Sequence, residues 1–185
     1  MQLQNTYFKK NDKERLVIRF QSPKDKSVVV TLDAKIVYEK LNSDMAFLQV
    51  PLINNQPCNA GDLYIFPLVP NSEYFSPGDD VLVIGYPLLT TALIELDIPV
   101  MRGGIVSSKD ISLDKNKMLT LDLFGVPGFS GSPVILKDTG YVIGIIYGPG
   151  PTERGFGFEW ATPIMKEDIT SKDYLKALES GAVPR

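Results

Sequence analysis

The chain has 185 residues, 44% apolar and 22% charged, with 19 Lys and Arg against 22 Asp and Glu for a net charge of −3. That size fits one domain or a compact pair of half-domains, and burial of about 70% of the unfolded surface builds a core without metal or disulfide. The values exclude a disordered chain, a collagen and a coiled coil, and the acidic balance offers no field for a phosphate backbone, so no nucleic-acid partner is expected.

Glycine and proline, 15 and 14 residues, fall between short runs rich in Val, Ile, Leu, Phe and Tyr. In chain order these runs read as strands over 15–20 (RLVIRF), 27–31 (SVVVT), 34–38 (AKIVY), 46–50 (AFLQV) and 62–66 (DLYIF). Further strands are predicted over 81–85 (VLVIG), 99–107 (PVMRGGIVS), 118–123 (MLTLDL), 133–136 (PVIL), 141–147 (YVIGIIY) and 155–161 (GFGFEWA). About eleven short strands with regular turn signals indicate an all-β antiparallel barrel or sandwich. One helix is predicted over 171–180, with Ser171 as N-cap, Asp173 in the first turn and Gly181 as the stop. The polar stretch 54–61 (NNQPCNAG) suits a connection between two halves, and 181–185 reads as an unpacked tail or a cleaved tag remnant.

No apolar run reaches the length of a membrane helix, and the first residues hold no apolar core of a secretion signal. The chain is therefore not expected to engage a membrane, and its single cysteine favours a cytoplasmic setting. No cofactor and no metal are expected. Cys58 is alone, and the acidic residues lack the spacing of a calcium loop. Histidine is absent altogether, which removes the commonest general base and metal ligand.

Two motifs carry chemistry. Gly128-Phe129-Ser130-Gly131-Ser132-Pro133 lies between two predicted strands. A serine bracketed by glycines at a tight bend exposes its hydroxyl, and the bend frees backbone N–H groups to converge on one point, as an oxyanion hole requires. The same residues also suit an ordinary turn. Asp44 opens the apolar run Met45-Ala46-Phe47-Leu48, which places a carboxylate at a strand mouth. Taken alone, a turn or strand cap is the better account of it.

Other segments extend the pattern in order: Gly85-Tyr86-Pro87, Gly103-Gly104-Ile105-Val106-Ser107, Thr120-Leu121-Asp122, Gly140-Tyr141-Val142-Ile143-Gly144-Ile145 and Gly155-Phe156-Gly157-Phe158 before Ala161-Thr162-Pro163. Together with the two motifs they resemble the trypsin-like, chymotrypsin-fold serine peptidases, in particular the compact bacterial branch that includes the HtrA group. The resemblance spans about residues 15–180 and implies two antiparallel β-barrel lobes, 1–60 and 61–180, with the C-terminal helix in the second. It implies a serine endopeptidase with Ser130 as nucleophile, Asp44 as the carboxylate that orients the base, and the N–H groups of Gly128 and Ser130 as oxyanion hole. It also implies a peptide or protein substrate, paired as an added strand along Ile145 to Tyr147 and Gly148. Phe124 and Phe156 would line the pocket for P1, the side chain before the scissile bond. The absence of Asp six residues before Ser130 disfavours Lys or Arg there, and an apolar P1 is expected. Phe129 stands where the digestive branch has an activating aspartate, so activation by that ion pair is not available.

The resemblance fails at the base. The family's histidine, in Thr-x-x-His, would fall near residues 6–10 or before Met1, and the strands expected there are missing. The first barrel is therefore expected to be incomplete, with an exposed edge open to pairing or dimerisation. Two readings stay open: a peptidase whose base lies outside this chain, or a pseudopeptidase that binds a peptide or protein. Lys9 or Lys10 as a substitute base is a third.

Overall fold

A computed structural model describes residues 16–21, 29–40, 45–49, 67–86, 99–113, 116–149, 158–172 and 175–176. The chain divides into two compact units. One comprises Met1–Lys40, Ala46–Ile65 and Lys172–Arg185, the other Leu41–Met45 and Phe66–Ser171.

Strands β1 (Leu16–Gln21), β2 (Val29–Lys40) and β3 (Met45–Gln49) form a three-stranded sheet in that order. β1 and β2 are antiparallel, from Leu16 opposite Ala34 to Gln21 opposite Val29. The sequence predicted two strands here, broken at Leu32-Asp33. The chain instead runs straight through, because Asp33 takes its ladder place opposite Val17. A polar residue on one face of a strand does not interrupt the backbone hydrogen bonds.

The second unit is a closed antiparallel barrel. Its strands are β4 (Asp80–Gly85), β5 (Val100–Leu113), β6 (Asn116–Asp122), β7 (Pro133–Leu136), β8 (Val142–Pro149) and β9 (Phe158–Pro163), in the order β4-β5-β6-β9-β8-β7. β4 also pairs with β7, Val81 opposite Leu136, which closes the ring and removes open sheet edges. The core is built from alternate inward residues: Val81 and Val83 of β4, Val106 of β5, Leu119 and Leu121 of β6, Val134 of β7, Ile143 and Ile146 of β8, and Ala161 of β9. The all-β architecture expected from the sequence is present.

Three differences lie at element ends. β5 continues to Leu113, past the predicted end at 107, through irregular pairing between Val106 and Ile111. β9 runs from Phe158 to Pro163, past the predicted end at 161, and the predicted residues 155–157 lie outside the described residues. A short helix α1, Lys166–Thr170, precedes the predicted one. The Met165 N–H donates to Asp168 Oδ2 at 2.9 Å, a local cap that starts it. Ser171 is the C-cap of α1, and helical backbone resumes at Lys172, Leu175 and Lys176. The predicted strand 62–66 and the Cys58 loop lie outside the described residues, as do residues 1–15. No helix among the described residues is long and apolar enough to cross a membrane.

Candidate active site

Residues 123–132 join β6 to β7 and carry the GFSGSP motif. Two turns shape this loop. The Phe129 N–H donates to the Val126 carbonyl at 3.2 Å, and the Ser132 N–H donates to the Phe129 carbonyl at 2.9 Å. Gly128 and Gly131 sit at φ 98° and 85°, the left-handed region where a side chain is strained.

Phe129 anchors the loop, with 2% of its surface exposed. Its ring and the Ser132 hydroxyl lie on the Cα of Gly85, where any Cβ would strike both. That contact is the physical reason for glycine at the end of β4. With Phe129 and Ser132 turned inward, Ser130 between them is turned out and exposed.

Two further bonds staple the loop to β8. The Gly131 N–H donates to the Ile146 carbonyl at 2.8 Å, and the Ile146 N–H donates to the Ser132 carbonyl at 2.9 Å. The N–H groups of Phe129, Gly131 and Ser132 are thus engaged. Those of Gly128 and Ser130 meet no acceptor among the described residues, and neither does the Ser130 hydroxyl. Among the described residues the loop thus leaves two backbone donors and a neighbouring exposed hydroxyl without a partner.

β8 provides a neighbouring edge. Ile145 is paired on both sides, with Pro133 of β7 and Thr162 of β9. Past Ile146 the β7 side is no longer paired, while Gly148 and Pro149 still lie opposite Trp160 and Glu159 of β9. The open part of the edge therefore begins at Tyr147, whose side chain is exposed. Phe124 is 62% exposed, and Phe158 is exposed as well.

Two charged residues that the sequence reading did not single out belong to this end of the barrel. Arg102 of β5 donates from Nη1 to the Phe124 carbonyl at 2.7 Å, and its guanidinium lies 5.7 Å and 5.9 Å from the ring centres of Phe124 and Phe129. It thereby braces the loop at both ends of its apolar stretch. Glu159 of β9 is 5% exposed, and a Cβ on Gly125 would coincide with its carboxyl oxygen. Burial raises the Glu159 carboxyl above its usual range. The available signal for both was a charge inside an apolar strand run.

Asp44 and Phe156 lie outside the described residues, although β3 begins at the residue after Asp44. Among the described residues no group of three or more His, Cys, Asp or Glu is placed to hold a metal ion.

The trypsin-like peptidase domain family matches residues 9–145. This chain belongs to that family. The peptidase domain also shares its fold with solved HtrA-type proteases. The HtrA-type protease AlgW with a decapeptide is 20% identical, with a TM-score of 0.60 over 90% of this chain and 45% of that one. AlgW with a tripeptide is 20% identical, with a TM-score of 0.56 over 90% of this chain and 47% of that one. Deg5 is 18% identical, with a TM-score of 0.55 over 88% of this chain and 68% of that one. The peptidase domain thus spans less than half the length of the AlgW chains it matches. No curated protein matches it.

Proposed function

We propose that this trypsin-like domain binds peptides in extended form along β8 from Tyr147 onward and presents their backbone to Ser130 as nucleophile. The observation that carries the reading is the pair of N–H groups at Gly128 and Ser130 that meet no acceptor among the described residues, beside an exposed hydroxyl that has no partner among them either. Attack by Ser130 Oγ on a peptide carbonyl forms a C–O bond and places negative charge on the carbonyl oxygen, which those two donors receive. The hydroxyl proton must leave as the bond forms, and the peptide nitrogen must gain one as the C–N bond breaks. Water then hydrolyses the acyl-enzyme.

In the family a histidine carries that proton and an aspartate orients it; Asp44 is the candidate for the second role. With no histidine in the sequence, the proton passes to water. Hydrolysis by this chain then keeps only the residual enhancement of oxyanion hole and binding, roughly 10³–10⁴ over water. The same absence favours a second reading, a pseudopeptidase that holds peptides without cutting them.

The test is labelling by a serine-directed fluorophosphonate alongside hydrolysis of a fluorogenic peptide panel. The expected result is slow labelling that Ser130→Ala abolishes, with peptide turnover barely above background. Rapid labelling of Ser130 would reveal a base in this chain and point to Lys9 or Lys10. No labelling under forcing conditions, with peptide binding retained, would favour the pseudopeptidase.

A further inference from the structure

The outer face of β4 and β5 carries a glycine that the chain itself does not need. Val81 and Val83 point into the barrel core, so Asp80, Leu82 and Ile84 of β4 point outward. On β5 the outward positions are Met101, Gly103 and Ile105, all exposed, Met101 by 59%. Gly103 does not occupy the left-handed region. Outside its chain neighbours, the nearest atom to an added Cβ would be the Val81 carbonyl oxygen, 4.0 Å away. By contrast, a Cβ on Gly104 would strike the Asp122 carbonyl. Neither backbone conformation nor packing within the chain explains glycine at 103, and glycine weakens a strand interior. Such a glycine marks a place where another surface approaches closely.

The register lays three rows across this face. Ile84 lies beside Met101, Leu82 beside Gly103, and Asp80 beside Ile105. The last row extends both ways, to Lys137 beyond Asp80 and to Asp122 of β6 beyond Ile105. Lys137 Nζ lies 3.4 Å from Asp80 Oδ2, with both side chains more than half exposed, a pair of little worth by itself. Asp122 is exposed, and among the described residues no hydrogen bond or ion pair reaches its carboxylate. Together these side chains line one open concavity floored by Gly103. β4 and β5 are each paired on both sides, so no backbone edge is open here, and docking must proceed through side chains.

The pattern is its own complement. A twofold axis running along the strands between β4 and β5 sets β4 of one copy over β5 of the other, and β7 over β6. Leu82 then meets the gap at Gly103, Ile84 meets Met101 and Lys137 meets Asp122, each contact made twice. Sheets packed face to face lie about 10 Å apart, a gap that facing lysine and aspartate side chains bridge. An axis across the strands would instead set Asp80 on Ile84 and leave Gly103 facing itself.

We propose that the outer face of β4 and β5 is the contact surface for a second copy of this chain, with Leu82 seated over Gly103 and Lys137 set against Asp122 across a twofold axis. The exposed Met101 and Ile105 are thereby covered, and the unpaired Asp122 gains a cation. The contact does not depend on peptide binding.

The experiment is sedimentation velocity of the full chain from about 1 to about 200 μM, since a face of this size places the dissociation constant in the micromolar range. A concentration-dependent dimer is expected, weaker at high salt. Asp122→Lys sets two lysines together at each paired contact, and Lys137→Glu sets two acids together. Each variant alone is expected to dimerise at least tenfold more weakly. An equimolar mixture of the two should regain the dimer, because opposite charges then meet at both contacts. Gly103→Gln fills the gap without touching the rest of its own chain, so it should weaken the dimer at least tenfold and leave the monomer's thermal unfolding unchanged. A chain that stays monomeric throughout overturns the proposal. So does a dimer that Gly103→Gln leaves intact, or one that the mixture of charge variants fails to restore. Should a charge variant not fold, the Gly103→Gln arm decides.

Discussion

Gly85 shows how one atom can govern the reactive loop. Its backbone dihedrals are ordinary, so conformational freedom is not the reason for glycine there. The reason is space: Phe129 Cδ1 would lie 2.6 Å from an added Cβ, with Ser132 Oγ nearer still. Phe129 and Ser132 are both buried and flank Ser130 and Gly131, so neither can yield without turning the loop. Gly85→Ala is expected to cost about 1–3 kcal/mol, the range for overpacking a filled core. A urea midpoint equal to that of the unaltered chain would show that the loop yields freely. Glu159 makes a different demand. Burial raises its folded-state pKa, so the folded form holds its proton longer than the unfolded one. Its contribution to stability is therefore full below its ordinary value of 4.5 and is lost as pH rises through the raised value. Urea midpoints across pH should fall more steeply with rising pH in the unaltered chain than in Glu159→Gln. Parallel curves would mean that Glu159 ionises as freely folded as unfolded.

At the scale of elements, the Ser130 loop depends on backbone shape as much as on packing. Gly131 sits at φ 85° with nothing within 4 Å of an added Cβ, so a substitution there meets strain without collision. Its N–H also holds the loop to Ile146. Gly131→Ala is expected to cost about 1–2 kcal/mol, and Gly131→Asn less, because asparagine tolerates the left-handed region. Thermal unfolding of the two variants ranks them, and the reverse order would show that the loop changes its dihedrals on substitution. Strand positions in the barrel were largely legible, because alternation between core and solvent marks them: β4 and β7 fall on the runs VLVIG and PVIL. Ends were less so. β2 runs through Asp33 because its partner β1 fixes the ladder, a tertiary fact that local polarity does not report. The N-cap of α1 is Met165, a residue with no capping side chain in its type, and the start signal is the carboxylate of Asp168 reaching back.

At the scale of the whole molecule, the order of short motifs made the family legible, since GFSGSP, VLVIGYP and the strand behind the loop each keep their places along the chain. Arg102 and Glu159 were not legible as neighbours of the Ser130 loop. They come beside the loop through the pairing of β5, β6 and β9, and no spacing in sequence encodes that closure. Closure also constrains how a peptide can add. A ring of six strands offers its backbone groups only where one strand outruns a neighbour. β8 does so from Tyr147, after its last bond on the β7 side at Ile146. A peptide added there is bonded as an antiparallel or parallel strand is, through every second residue toward β8. Methylating one backbone nitrogen at a time along a bound hexapeptide should therefore weaken binding at alternate positions and leave the intervening ones nearly unchanged. The loss at each sensitive position should be about fivefold to tenfold, the worth of one backbone hydrogen bond with the clash of the added methyl. Anisotropy titrations of the six methylated peptides measure this directly. A flat profile, or one that depends only on side chains, would rule out strand addition.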